Sequence, residues 1–187
     1  MNNLGCDGRW PPIYDFDGLG EEIKGLVSSK EIFNFFFFER NLEPILCQGD
    51  ILKFAGQFPF VDELGNIKLL EEEYDYWMIL GNTCDLQRDI SSPHYSHITP
   101  IIPLTTDTPG QIISKLQSYS TYKKFYIPSW GGGMAQGFYI DFTLICSIDK
   151  KCLSTFTELV ARLTMKSWLL LHSCLVRYLA RDDGRHD

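Results

Sequence analysis

The chain of 187 residues is long enough for one domain that buries a full hydrophobic core without disulfides or metal. Hydrophobic residues make up 44% and charged residues 22%, which excludes a disordered chain, and no apolar run reaches the ~20 residues that a membrane helix needs. The formal charge of −7 argues against a protein that binds nucleic acid over its whole surface, because the phosphates would repel it.

The cysteines indicate the compartment. Six of them are spread along the chain without a Cys-x-x-Cys pair, and we find no signal peptide. Reduced thiols in a cytoplasmic protein are therefore expected, with no metal centre, no cofactor and no membrane association.

Residues 1–46 predict an aromatic-rich arm with short helices, attached to a domain that covers 47–187. Glycine and two prolines make the first 18 residues an extended segment. A helix is expected to start at Asp17 or Gly18, and Ser28 or Ser29 is expected to cap a second one. The phenylalanines at 33 and 35–38 are too many for one helical stripe, so they indicate either a core segment or a surface for another subunit, with the core favoured.

The first strand of the domain is predicted near Ile51. Ile51 and Lys53 should face one side of a sheet, and Leu52 and Phe54 the other. Residues 58–61 predict a loop or an edge strand, because Pro59 cannot donate to a ladder.

The most informative stretch is residues 74–88, where the apolar run Tyr76–Leu80 is stopped by Gly81 and Asn82. A short apolar run bounded by turn residues predicts a strand buried on both faces. The polar cluster from Thr83 to Arg88 follows directly, so we expect it at one end of the sheet.

The second half of the chain predicts alternating strands and helices. Gly131–Gly133 lacks the Lys-Ser/Thr of a phosphate-binding loop. Thr155 to Glu158 matches a capping box, which predicts one closing helix up to about Ala180. The other predicted elements are a strand over 98–104, a helix over 110–118, a strand over 125–128 and a last long strand over 137–148.

Three interpretations of Thr83, Cys84 and Asp85 remain open. The cluster is structural, with Asp85 accepting backbone amides and Cys84 packed as a small apolar residue. Alternatively, Cys84 is a nucleophile with His94 or His97 as its base. In the third interpretation, Asp85 lines a ligand pocket together with Arg88 and Thr105 or Thr106.

The order of these segments resembles the PemK/MazF family of bacterial toxins, which are small SH3-like barrels. Gly49-Asp50-Ile51 is similar to the opening GDI of that family, and the strand ending at Gly81-Asn82 to its central strand. Ile101-Ile102-Pro103-Leu104-Thr105-Thr106 is similar to its Pro-Leu-Thr strand, and a helix closes both. The resemblance implies a mainly β (α+β) fold, an SH3-like barrel of the PemK/MazF type with a C-terminal helix and the N-terminal helical arm.

The function that this resemblance implies is metal-independent cleavage of RNA by a component of a toxin–antitoxin or phage-defence system. Thr105 or Thr106 matches the family's catalytic threonine, while Asp75 and Tyr76 stand where the family has Arg-Pro. Arg88 is then the residue expected to supply the cation, and Thr83, Cys84 and Asp85 are expected to bind ligand.

The alternative function is a non-catalytic interaction subunit of a defence complex. In that case the partner is an antitoxin or another subunit bound through the phenylalanine-rich arm. RNA binding and a homodimer are also expected as possibilities.

Overall fold

The computed structural model describes residues 16–29, 31–37, 45–88, 94–130, 136–156 and 158–179. It is an α+β fold in which a curled antiparallel sheet lies between helices and a separate two-stranded ribbon. The expected extended segment over residues 1–18, apart from the start of the first helix, and Gly131–Gly133 lie outside the described residues.

The elements alternate along the chain. The strands are β1 (Ile51–Lys53), β2 (Gln57–Val61), β3 (Ile67–Glu71), β4 (Tyr76–Ile79), β5 (Tyr95–Pro103), β6 (Lys124–Ile127), β7 (Phe138–Asp141), β8 (Cys146–Asp149) and β9 (Glu158–Ala161). The helices are α1 (Phe16–Ser29), α2 (Ile32–Phe36), α3 (Thr83–Gln87), α4 (Gly110–Gln117), α5 (Lys150–Phe156) and α6 (Met165–Leu179). None of these helices, within the residues that the structure describes, is both long and apolar enough to cross a membrane.

Strand β4 lies in the middle of the sheet, as its apolar run predicts. The order is β6-β7-β5-β4-β1-β9, and β8 pairs with the first half of β5. Side chains alternate between the two faces of β4. Met78 joins the core cluster that also contains residues of α1, α2, α4 and α6, while Trp77 and Ile79 join the cluster with α5.

Strands β2 and β3 form a two-stranded antiparallel ribbon, with Phe58 opposite Leu70 and Pro59 opposite Leu69. Phe58 anchors the ribbon, because its ring lies 4.9 Å from Trp77 and 6.0 Å from Phe54. The ladder tolerates Pro59 because the amides of Asp62 and Glu72 bond across the ribbon to Asn66 and Gly56. Hydrogen-bonded and non-hydrogen-bonded residue pairs alternate along the ladder. Counted from these two bonded pairs, residue 59 is in a non-hydrogen-bonded pair, where an N–H would point away from β3.

The N-terminal helices pack on the sheet. Phe36 and Phe37 are buried in the main core cluster, as the favoured interpretation of the phenylalanine run predicts. The predicted cap at Ser28 or Ser29 is wrong, since both hydroxyls donate to carbonyls of α1 and α2 begins after Glu31. The division of the chain at residue 46 stays a prediction.

The predicted long strand over 137–148 is interrupted. Its halves β7 and β8 pair with different parts of β5, and a 3₁₀ turn over Phe142–Leu144 separates them. The carboxylate of Asp141 accepts from the amide and the hydroxyl of Thr143, which stabilises the turn. A local side-chain bond therefore overrides the strand propensity.

The predicted single closing helix is also wrong. Helix α5 ends at Phe156, strand β9 pairs with β1, and the last helix begins at Met165. The amide of Ser167 bonds to Thr164 Oγ1 at 3.4 Å, so the cap lies at Thr164 rather than Thr155. Residues 158–161 form a strand because they pair with the otherwise free edge of β1. This tertiary pairing outweighs the helical spacing of their apolar side chains.

Candidate functional site

The polar cluster after β4 forms the short helix α3, an element that was not among those predicted from the sequence. Helix α3 starts after Asn82 and has Asp85 in its first turn. The cluster lies at the end of β4, as predicted, and faces the beginning of β5, since the amides of Leu80 and Gly81 both donate to His97 O. Gly81 allows this close approach, because a Cβ at this position would lie 2.1 Å from Ser96 Oγ and 3.2 Å from His97 N, so that the serine hydroxyl would have to move.

Gln48 is a buried residue that joins this helix to α6, and no local sequence pattern distinguishes it. Its backbone N–H donates to Thr83 Oγ1 at 3.0 Å, and its side-chain Nε2 donates to Leu80 O at 2.6 Å. Its Oε1 accepts from Trp168 Nε1 at 3.2 Å and lies 2.7 Å from His172 Nε2. Thr83 and Gln48 therefore have structural partners.

The Gln48 contacts define the protonation of His172. An indole N–H can only donate, so Oε1 of Gln48 is the acceptor and His172 Nε2 carries a hydrogen. Burial lowers the pKa of His172 below the ordinary 6.5, which favours the neutral ring. In that tautomer Nδ1 is the acceptor nitrogen.

A cleft of about 440 Å³ opens beside this network. Its polar lining includes Asn82, Asp85, Ser96 and His172, and its apolar side comes from α6. The Ser96 hydroxyl is buried without a hydrogen-bond partner among the described residues. The volume is within the range of small-molecule sites.

The cations near the cleft already have partners. Arg88 Nη1 is 3.2 Å from Asp85 Oδ1, and the Arg88 side chain is 66% exposed. The buried Lys150 donates to the carbonyls of Asp85 and Arg88, at 2.6 and 3.3 Å. Lys150 thus fixes the end of α3 rather than facing a ligand.

Thr105 and Thr106 lie at the opposite end of β5, so the predicted pocket that combines them with Asp85 and Arg88 is not formed. Strand β5 covers nine residues and runs antiparallel to β4, so its start lies beside α3 and its end lies far from it. An extended strand of this length spans roughly 25–30 Å. Both threonines are exposed, and Thr105 Oγ1 lies 3.4 Å from Thr108 Oγ1.

Cys84 and the histidines of the second interpretation are on the surface. Cys84 is an exposed thiol, and His94 and His97 are exposed. Within the ranges that the structure describes, no three His, Cys, Asp or Glu side chains form a group that could hold a metal ion.

Asp50, the middle residue of the GDI segment, forms a buried ion pair with Arg162. Arg162 Nε and Nη2 donate to the two carboxylate oxygens at 2.7 and 2.8 Å, and the amide of Cys47 donates at 2.7 Å. Burial raises the pKa of Asp50, while Arg162 and the Cys47 amide oppose that shift. The pair connects β1 to the segment before α6 and has a structural role.

Four of the exposed large apolar side chains of the described residues lie on the ribbon β2–β3, and sequence reasoning missed this concentration. Leu64 is 86% exposed, Leu70 56%, Leu69 46% and Phe60 41%. Residues 57–73 contain five carboxylates and one lysine, a net charge of −4 out of the −7 of the whole chain. We call these four apolar side chains with their acidic rim the ribbon surface.

No protein-family model, no curated protein and no solved structure matches this chain.

Proposed function

We propose that this chain is a non-catalytic, protein-binding subunit of a bacterial toxin–antitoxin or phage-defence complex. The observation that carries the proposal is the ribbon surface. Four large apolar side chains project from one hairpin that is anchored to the core through Phe58. Single exposed apolar residues are ordinary. Here four lie on one hairpin, with Phe60 and Leu70 on one face of the ribbon and Leu69 on the other, and such a concentration supports a protein-binding role.

The chemistry of the rim indicates the kind of partner. The carboxylates lie at the two ends of the ribbon, at 62 and 63 in the turn and at 71–73 at the end of β3. The Nζ atom of Lys68 is 3.9 Å from Oδ2 of Asp62. A partner with apolar side chains and a basic border would be attracted by this charge and held by apolar burial. The same charge repels nucleic acid.

The bacterial defence setting and the PemK/MazF-like, SH3-like type of the sheet belong to this proposal as well. They are supported by the order of the GDI segment, the central strand, the Pro-Leu-Thr strand and the last helix. The curled antiparallel sheet is compatible with that order. The cytoplasm, where such complexes act, suits the reduced cysteines.

The distance between Arg88 and the threonines favours the non-catalytic function over RNA cleavage. Cleavage in the resembling family needs a cation and a threonine at the same phosphate. Here β5 separates Arg88 from Thr105 and Thr106, and Arg88 already pairs with Asp85.

RNA binding is the second candidate, and the cleft beside α3 favours it. Tyr95 and His97 line that cleft next to Asp85 and could stack on an unpaired base, with Arg88 at the margin. Titration of the full chain with labelled single-stranded RNA at low salt tests this candidate. Binding that Arg88→Ala weakens and Thr106→Ala leaves unchanged would support RNA recognition at the α3 end.

Affinity purification of the tagged full chain from the cells that produce it tests the main proposal. We expect a stoichiometric protein partner that is retained by Thr106→Ala and lost by Leu64→Lys combined with Leu70→Lys. Absence of a protein partner, together with RNA cleavage that Arg88→Ala or Thr105→Val abolishes, would overturn the proposal in favour of the enzyme.

A further inference from the structure

The outer edge of β3 is an open hydrogen-bonding edge. The amide of Asp62 donates to Asn66 O at one end of the ribbon, and the amide of Glu72 donates to Gly56 O at the other. Hydrogen-bonded and non-hydrogen-bonded pairs alternate along an antiparallel ladder, so the hydrogen-bonded pairs between these ends are 60 with 68 and 58 with 70. The backbone groups of Lys68 and Leu70 therefore point to β2. Those of Ile67, Leu69 and Glu71 point outward, and no strand among the described residues pairs with them.

The two edges of the ribbon differ. Strand β2 contacts helix α5 and strand β8, and its outer edge lacks one amide at Pro59. The β3 edge has all its amides and is flanked by half-exposed leucines. A row of unpaired backbone groups beside apolar side chains is a template for an additional strand.

We propose that a partner protein binds by adding a β-strand to the outer edge of β3. This inference rests on the proposed function and specifies how the ribbon surface would be used. The added strand bonds to the backbone of Ile67, Leu69 and Glu71, which is recognition by β-augmentation. Its side chains next to Leu69 are apolar, and those next to Glu71 and the following two glutamates are lysine or arginine.

Charge complementarity favours such a partner over a second copy of this chain. Two copies paired through β3 would bring together two ribbons that each carry a net charge of −4. A basic strand neutralises the rim instead, because opposite charges across a strand pair stabilise it and like charges destabilise it.

The test uses the full chain and three synthetic peptides. The first has alternating valine and threonine followed by lysines, and the second has glutamates in place of the lysines. The third is the lysine peptide with every backbone nitrogen of the valine–threonine segment methylated, so that neither of its edges can donate a hydrogen bond. We expect the lysine peptide to bind, and the methylated peptide to lose at least about tenfold in affinity, the equivalent of one or two backbone hydrogen bonds. The glutamate peptide should lose a comparable factor for a different reason, because its charge has the same sign as that of the ribbon. Equal binding of the methylated peptide would overturn strand addition, because that peptide keeps the charge but lacks amide donors.

The variant Leu69→Pro removes an outward N–H together with the exposed leucine side chain, and it changes no charge and no hydrogen bond to β2. Leu69→Ala is the matched control, because it shortens the side chain and keeps the N–H. Leu69→Pro should bind the lysine peptide with at least about tenfold lower affinity, as expected for the methylated peptide on the unaltered chain. Thr106→Ala should bind it with unchanged affinity. Unchanged binding by a folded Leu69→Pro chain would overturn the proposal.

Hydrogen exchange of the unaltered chain gives an answer that does not depend on the folding of a variant. Bound lysine peptide should protect the amides of Ile67, Leu69 and Glu71, while those of Lys68 and Leu70 change little. Protection without this alternation would overturn strand addition. Protection of the same three amides in the chain alone as its concentration rises would overturn the partner strand in favour of a second copy.

The natural partner separates this inference from the proposed function. A partner that is retained by Leu69→Pro but lost by Leu64→Lys combined with Leu70→Lys would leave the proposed function in place and overturn strand addition. Absence of any natural partner would contradict the proposed function itself, whatever the peptides do.

Discussion

The α3 end of the sheet and the β2–β3 ribbon differ in how far their polar groups are hydrogen-bonded, although the Ser96 hydroxyl at the α3 end also lacks a partner among the described residues. At the α3 end, Gln48 and Lys150 are buried and bond to backbone and side-chain atoms of neighbouring elements. On the ribbon, the outward backbone groups of β3 are unpaired within the described part of the chain. Satisfied polar groups hold a fold together, whereas unsatisfied ones on an accessible edge are available for binding.

Loss of Arg162 should lower the free energy of unfolding more than any other change considered for these two regions. In Arg162→Met the carboxylate of Asp50 would remain buried without its ionic partner, so we expect a loss of about 3–5 kcal/mol in the free energy of unfolding. Urea denaturation measures it. The matched control is Arg88→Met, whose pair with Asp85 is exposed and contributes about 0–1 kcal/mol. Equal losses in the two variants would contradict the structural importance of the Asp50 pair.

The pH dependence of Arg162→Met gives a second outcome. Burial already raises the pKa of Asp50, and removal of the guanidinium raises it further. A carboxyl group with a raised pKa in the folded state favours folding at low pH, and that contribution is lost as pH rises through the folded pKa. The deficit of the variant relative to the unaltered chain should therefore grow from about pH 4 to neutrality. A deficit that is constant over this range would count against the charge of Asp50 as its cause.

Gly81→Ala should have an intermediate effect at the α3 end. Its methyl group would collide with Ser96 Oγ, at 2.1 Å, and approach His97 N, at 3.2 Å. We expect a loss of about 1–3 kcal/mol by thermal denaturation. The loss should be smaller in a Ser96→Ala background, which removes the colliding hydroxyl. The same loss in both backgrounds would assign the collision to the backbone instead.

Replacement of His172 should have a smaller effect on the free energy of unfolding, and the effect should depend on pH. Since burial lowers the pKa of His172, the unfolded chain takes up a proton more readily, and stability falls as pH drops through the ordinary 6.5. His172→Gln should lose less stability than the unaltered chain between about pH 7 and pH 5. An NMR titration of the His172 ring above 6.5 would contradict this prediction.

Leu64→Lys on the ribbon should have the smallest effect on stability. Leu64 is 86% exposed at the turn, so we expect a change within about 0.5 kcal/mol by urea denaturation. Retained stability together with loss of a partner would sharpen the contrast between a region that stabilises the fold and one that binds. A large loss of stability would mean that the ribbon surface is part of the core.

The parts of the fold that the sequence predicted are those with local signals. The apolar run at β4 and the apolar spacing of α4 gave the right elements, because burial on both faces or on one helical side leaves a clear pattern. Helix α3 was missed although Asn82 and Asp85 stand where a cap and a first-turn acid are expected. That signal was present in the sequence.

The remaining errors depend on tertiary pairing. Strand β9 forms because β1 has a free edge, and no local pattern in residues 158–161 contains that information. The pocket of Asp85, Arg88, Thr105 and Thr106 fails for a simpler reason. Consecutive antiparallel strands place the end of the first beside the start of the second, so residues that follow each strand lie at opposite ends.

Pro59 has a consequence for stoichiometry. The β2 side of the ribbon lacks an amide at this position, so extension of the ladder can proceed in only one direction, from β3. A chain with a single growing side can accept one strand and cannot link molecules into a continuous fibre through the ribbon. If a partner strand binds as proposed, each ribbon would accept one strand and would end the ladder on its other side.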